Sequence, residues 1–201
     1  MNEEFQERTT TVLLERLFDP DDQAVWQEFD ARFRPVIEGL ARRVGLSPVD
    51  AADVTQETLV FFVRDYRAGK YDRGRGRLRA WVLGIARHQI SELMRRRASR
   101  RESRGQSAII DLSDEDQLNR YWEQECRQAM LCRAMRSMAE EGRIHPRTLE
   151  AFRRTVIEQR PPDEVAAEMG LTVRSVYLAK HRCLARLREH LERLKEDYDV
   201  A

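Results

Sequence analysis

Apolar side chains recur along this chain at three- and four-residue spacings, and no stretch of convincing length alternates with period two. The pattern predicts an all-α protein. A short first helix, residues 12–18, follows the capping-competent run Thr9-Thr10-Thr11 and stops at Asp19-Pro20. Asp21-Asp22 opens a longer one, with Val25, Phe29, Phe33, Val36, Ile37 and Leu40 at mostly helical spacing. Pro35 lies inside that pattern and predicts a kink or a break. Gly45 ends it, and Ser47-Pro48 starts a third helix, residues 49–66, with Val54, Thr58, Phe61 and Phe62 toward a core. A glycine-broken basic loop, residues 70–79, leads into a helix over 78–97 whose one side carries Leu78, Val82, Ile85, Ala86, Gln89, Ile90 and Leu93. Periodicity is lost over residues 98–120, which are rich in Ser, Arg, Asp and Gln, with Ile109, Ile110 and Leu112 as an isolated apolar patch. It returns over residues 121–139 and 147–159.

Residues 161–182 read as helix, tight turn, helix. Pro161-Pro162 suits a helix start, and Asp163 and Glu164 complement the dipole of its first turn. Gly170 can take positive φ and close that helix, and Thr172 is a good N-cap for the next. Two helices crossing steeply after a short turn approach closely, so Ala166 leaves room for Val176. The spacing of Ala166, Gly170 and Val176 matches the helix-turn-helix of DNA-binding proteins. The second helix turns Val173, Val176, Cys183 and Leu187 inward. Its outward face carries Arg174, Ser175, Leu178, His181 and Arg182, with Tyr177 and Lys180 beside it: donors, an apolar contact and fixed cations suited to a major groove. An amphipathic tail with Leu184, Leu187, Leu191 and Leu194 follows. The expected organisation is an extension over residues 1–20, a helical domain over 21–98, a flexible linker over 99–120 and a second helical domain over 121–196.

The net charge of +1 hides segregation. Residues 64–104 hold 14 Lys/Arg against 4 Asp/Glu, whereas residues 111–126 hold 6 Asp/Glu against 1 Arg. A basic block followed by an acidic one points to a polyanion-binding face and a solvated connector. No apolar run reaches the length of a membrane span, and the acidic N-terminus lacks a signal peptide's basic and apolar regions. Cys126, Cys132 and Cys183 lack CxxC spacing and read as reduced cytoplasmic thiols; a zinc site from Cys126, Cys132 and His145 is disfavoured. No metal or cofactor is expected.

Two stretches carry candidate chemistry in the first domain. Asp50, Asp53, Gln56 and Glu57 recur at three and four residues and form one acidic ridge, either a solvated face or a protein-docking surface. No His, glycine-rich loop or second carboxylate cluster accompanies them, which argues against catalysis. The basic stretch offers Arg75, Arg77, Arg79, Arg87, Arg95 and Arg96 around Trp81, a residue that either packs in the core or presents a flat surface to an unstacked base.

Taken in order, these pieces resemble an extracytoplasmic-function sigma factor of bacterial RNA polymerase, of the sigma-70 family. Asp50-x-x-Asp53-x-x-Gln56-Glu57 resembles the family's polymerase-binding helix. Residues 79–87, Arg-Ala-Trp-Val-Leu-Gly-Ile-Ala-Arg, resemble its helix for melting DNA and reading the minus-10 element. Gly170-Leu171-Thr172-x-x-Ser175-Val176 followed by Arg182 and Leu187-Arg188 resembles the minus-35 reader. The resemblance implies docking of Asp50, Asp53, Gln56 and Glu57 on the coiled coil of the β′ clamp, further contact with the β subunit, and promoter DNA as ligand. Minus-10 melting would fall to Arg75, Arg77, Arg79, Trp81, Arg87, His88, Arg95 and Arg96. Minus-35 reading would fall to Thr172, Arg174, Ser175, Tyr177, Leu178, Lys180, His181 and Arg182. It implies no covalent chemistry in this chain, and control by a partner, commonly an anti-sigma factor. His88 stands where the family usually has Asn, Glu92 where Asp is common, and Tyr177 where Lys or Arg is frequent. The alternative is a helix-turn-helix repressor or activator working without polymerase.

Overall fold

The structure, a computed structural model, describes residues 12–19, 21–99, 112 and 114–198. Thr9, Thr10, Thr11, Ile109 and Ile110 lie outside the described residues. The described residues are helical with no strand, an all-α protein. They form two compact units, Met1–Ala129 with Glu196–Ala201, and Met130–Lys195.

The first unit begins with a helical segment at residues 12–16. Helix α1, Gln23–Arg43, starts where Asp22 accepts from the Val25 N–H at 3.1 Å. It runs through Pro35 without a break. Ala31 and Pro35 both lie on the solvent side of the helix, where a carbonyl that loses its N–H partner is least costly. Helix α2, Pro48–Arg67, has Ser47 as N-cap and Pro48 in its first turn. After a 3₁₀ turn at Arg73–Arg75, held by Asp72 on the Gly74 N–H, comes α3, Leu78–Ser99.

These three helices bury one apolar core. Phe29 and Phe62 stack with centroids 4.1 Å apart, and Val36, Ile37, Leu40, Val54, Val82, Ala86 and Ile90 are buried around them. Each such large side chain contributes about 1.5–3 kcal/mol by leaving water. The buried hydroxyls of Thr55 and Thr58 donate back to the Ala51 and Val54 carbonyls, both at 2.7 Å, so neither is stranded.

Helix α4, Glu115–Glu140, starts within the segment whose composition reads as connector. Asp114 caps it, accepting from the Gln117 N–H at 2.9 Å. Leu118, Trp122 and Cys126 repeat at i, i+4 and are buried in the first unit, with Trp122 against Phe33. A Cβ at Gly39 would sit 2.1 Å from the Glu125 carboxylate, so that side chain would have to swing away from Arg43, which it receives at 2.8 Å. The compact units divide farther along this same helix, after Ala129.

In the second unit, α5 (Pro146–Phe152) is capped by His145 and passes into a π turn at Arg153–Ile157. Helix α6, Pro162–Met169, ends at Gly170 with φ +61°, and α7, Val173–Tyr198, follows after a short turn. Ala151, Val165, Ala166, Val176 and Ala179 form its core cluster, flanked by Met169 and Leu171. The small Ala166 thus admits Val176, as the spacing predicts. Glu168 ties this pair to the preceding segment, receiving Arg154 at 3.2 Å and Arg160 at 2.9 Å.

Candidate functional site

The acidic ridge of α2 divides in two. Asp53 and Gln56 are exposed and Glu57 half-buried. Asp50 is only 7% exposed. Its N–H donates to Ser47 Oγ at 3.3 Å, and its carboxylate accepts from both the Ser47 hydroxyl and the Arg97 guanidinium. A residue in the first helical turn turns back to its cap, and that geometry withdraws Asp50 from the surface. Arg34, which sequence reasoning passed over, joins the ridge: it holds Asp30 one turn before it and reaches Gln56 Oε1 at 3.1 Å. The i, i+4 spacing of Asp30 and Arg34 was the available signal.

Gln56 and Val60 stand between two grooves. One, of about 850 Å³, runs between α1 and α2 and is lined by Trp26, Phe29, Leu59 and Val63, with Arg64 and Arg67 among its lining cations. The other, of about 490 Å³, lies between α2 and α3, where Glu57 and Phe61 face His88, Glu92 and Arg96. Arg96 approaches Glu57 to 3.6 Å. The acidic ridge and part of the basic helix therefore share a wall.

The rest of the basic stretch spreads over three environments. Arg75 and Arg77 are exposed on the loop before α3. Trp81 is half-buried in a ring cluster, 5.1 Å from Tyr71, 5.2 Å from Phe62 and 6.4 Å from Tyr66. Tyr66 anchors that cluster by donating to the Leu14 carbonyl, and burial pushes its phenol up to about 12. Arg79 and Arg87 meet carboxylates of α4: Glu123 accepts from Arg79 at 3.2 Å and Glu115 from Arg87 at 2.7 Å. Arg95 pairs with Glu92 at 2.7 Å, and His88 is exposed.

On α7, Arg174, Tyr177, Leu178, His181 and Arg182 are exposed, and Ser175 and Lys180 half-buried. Thr172 caps the helix, accepting from the Ser175 N–H at 3.0 Å, and the two hydroxyls lie 2.8 Å apart. Both side chains are thus committed locally before any ligand arrives. Cys126 and Cys183 are buried and Cys132 exposed. Burial pushes the Cys126 thiol up to about 12 and that of Cys183 to about 11. Among the described residues, no helix is long and apolar enough to cross a membrane.

Comparison with known proteins gives a compact result. No curated protein matches the chain. A solved structure of CnrH in complex with the cytosolic domain of CnrY is similar at 24% identity, covering 90% of this chain and 96% of that one, with a TM-score of 0.37. At that score the likeness carries no argument. Residues 30–100 match the model of sigma-70 region 2, and this segment holds both the α2 ridge and the basic helix α3. The segment over residues 30–100 is a sigma-70 region 2 domain.

Proposed function

We propose that the protein is a sigma factor of the extracytoplasmic-function type, binding core RNA polymerase and directing initiation at promoters with minus-10 and minus-35 elements. The observation that carries this reading is the region 2 match over residues 30–100, which coincides with a helical unit exposing acidic and basic faces side by side. Asp53, Gln56 and Glu57 dock on the β′ clamp, while Asp50 supports that surface from below by holding the Ser47 cap and Arg97. Arg75, Arg77, Arg79, Arg87, Arg95 and Arg96 take the phosphates of the opened strand. Trp81 and His88 contact its bases from the α3 side, His88 bonding a base edge in a manner set by its tautomer.

The second unit reads the minus-35 element through α7, with phosphate contacts fixing register and base contacts giving specificity. Residues 100–114 join α3 to α4, whose first part packs in the first unit. The bond-making chemistry belongs to polymerase, and the protein acts in the cytoplasm, where an anti-sigma partner would cover the same faces.

The test is transcription in vitro with core RNA polymerase on a pool of promoter fragments. Protein-dependent starts sharing two short upstream elements are expected. Duplex binding without any association with core would instead make the protein a conventional helix-turn-helix regulator.

A further inference from the structure

The outward side of α7 is not uniformly polar. Arg174, Leu178 and His181 recur at four and three residues, opposite the buried Val176, Ala179, Cys183 and Leu187. Leu178 is 47% exposed and its neighbour Tyr177 50%. No carboxylate occurs between Glu168 and Glu189, whereas Arg174, Lys180, Arg182, Arg186 and Arg188 all fall in that interval. A single exposed leucine is ordinary. A leucine centred on a helix face, ringed by cations and without an anion, fits a partner that is anionic at its edges and apolar within. A major groove has this character: phosphates line its walls, and thymine contributes a 5-methyl group to its floor.

We infer that Leu178 packs on the 5-methyl group of a thymine in the upstream element, so that specificity at this position is set by a methyl contact. The inference rests on the minus-35 reading above. Arg174 lies one turn earlier, about 6 Å along the helix axis, or roughly two base-pair steps. Its guanidinium suits the bidentate edge of guanine. The two side chains therefore address neighbouring positions by different chemistry, one by hydrogen bonds and one by burial. Leu178 makes no contribution to the core cluster of this unit, so its replacement leaves the reader folded.

The experiment uses the full-length protein with core RNA polymerase to select upstream elements from a randomised duplex pool. Each thymine of the selected element is then replaced by deoxyuridine, which removes the methyl group alone. At one position this lowers affinity by about fourfold, the effect of one buried methyl group. Leu178→Ala lowers affinity to a similar degree and no longer distinguishes thymine from deoxyuridine there, whereas Leu178→Met still does. Deoxyuridine tolerated at every position by the wild-type protein overturns the inference and leaves the promoter reader standing. So does a Leu178→Ala protein that still senses the methyl. Selection of no upstream element overturns the minus-35 reading and the inference with it.

Discussion

Arg87 donates from Nη1 to Glu115 Oε1 at 2.7 Å, joining the middle of the basic helix α3 to the first turn of α4. The Glu115 side chain is 72% exposed, so the pair is worth at most about 1 kcal/mol. Glu123 on Arg79 is a second such contact. What holds this part of α4 in place is its apolar stripe, Leu118, Trp122 and Cys126. The carboxylates therefore occupy the cationic face without being needed for the fold. The Glu115→Ala, Glu123→Ala double variant should bind single-stranded DNA several-fold more tightly at low salt, up to about fivefold per released pair. The gain should vanish near ~0.5 M salt, where exposed charges are screened. Equal affinities at low salt, read by fluorescence anisotropy, would show that these acids leave the arginines available.

Asp50 and Asp53 sit one turn apart and should behave oppositely. Asp53 is exposed, and Asp53→Arg should abolish association with core polymerase while shifting stability by less than about 0.5 kcal/mol. Asp50→Ala removes a buried carboxylate that engages Ser47 and Arg97, at a cost of about 1–3 kcal/mol. Urea unfolding together with a pull-down on core separates the two. Unfolding of the Asp53 variant would make the whole ridge structural.

Much of this architecture was legible in local chemistry. Asp22, Ser47, Thr172 and Gly170 mark helix ends by capping rules that act over a few residues, and Ala166 opposite Val176 follows from the turn length. The burial of Asp50 was hidden because its partner Arg97 is 47 residues away, and a periodicity argument counts faces without knowing what covers them. The start of α4 at Glu115 was hidden for a different reason. Acidic, Ser-rich composition masks an i, i+4 stripe of only Leu118, Trp122 and Cys126. Pro35 shows the limit of a breaker rule: a helix persists where its lost bond faces water.

The cysteines should differ sharply in reactivity. Thiolate is the reactive form, and burial raises Cys126 to about 12 and Cys183 to about 11, while Cys132 is exposed. A maleimide at neutral pH should label Cys132 in the native protein and reach the other two only in denaturant. Peptide mass spectrometry gives the answer, and native labelling of Cys126 within the same time would contradict the packing of α4 on the first unit.

Glu150 gives the second unit an acid-sensitive tie. Its carboxylate accepts from Arg153 at 2.9 Å and from Arg154 at 2.6 Å, and these hydrogen bonds, Arg153's first, lower it from 4.5 to about 2. A carboxylate depressed in the folded state stabilises it fully above the unfolded value, and that contribution is lost as pH falls from about 4.5 through about 2. Glu168, lowered by Arg160, acts with the same sign, so acid weakens two links around α6 together. Glu150→Gln should melt lower than the wild type at pH 7, and the gap should close as both proteins are taken toward pH ~2. Thermal unfolding followed by circular dichroism across that range reads the difference between the two proteins. The background slope from other carboxylates cancels in it. A gap that stays constant from neutral pH into acid would mean the substitution acts through packing and that the Glu150 charge contributes nothing.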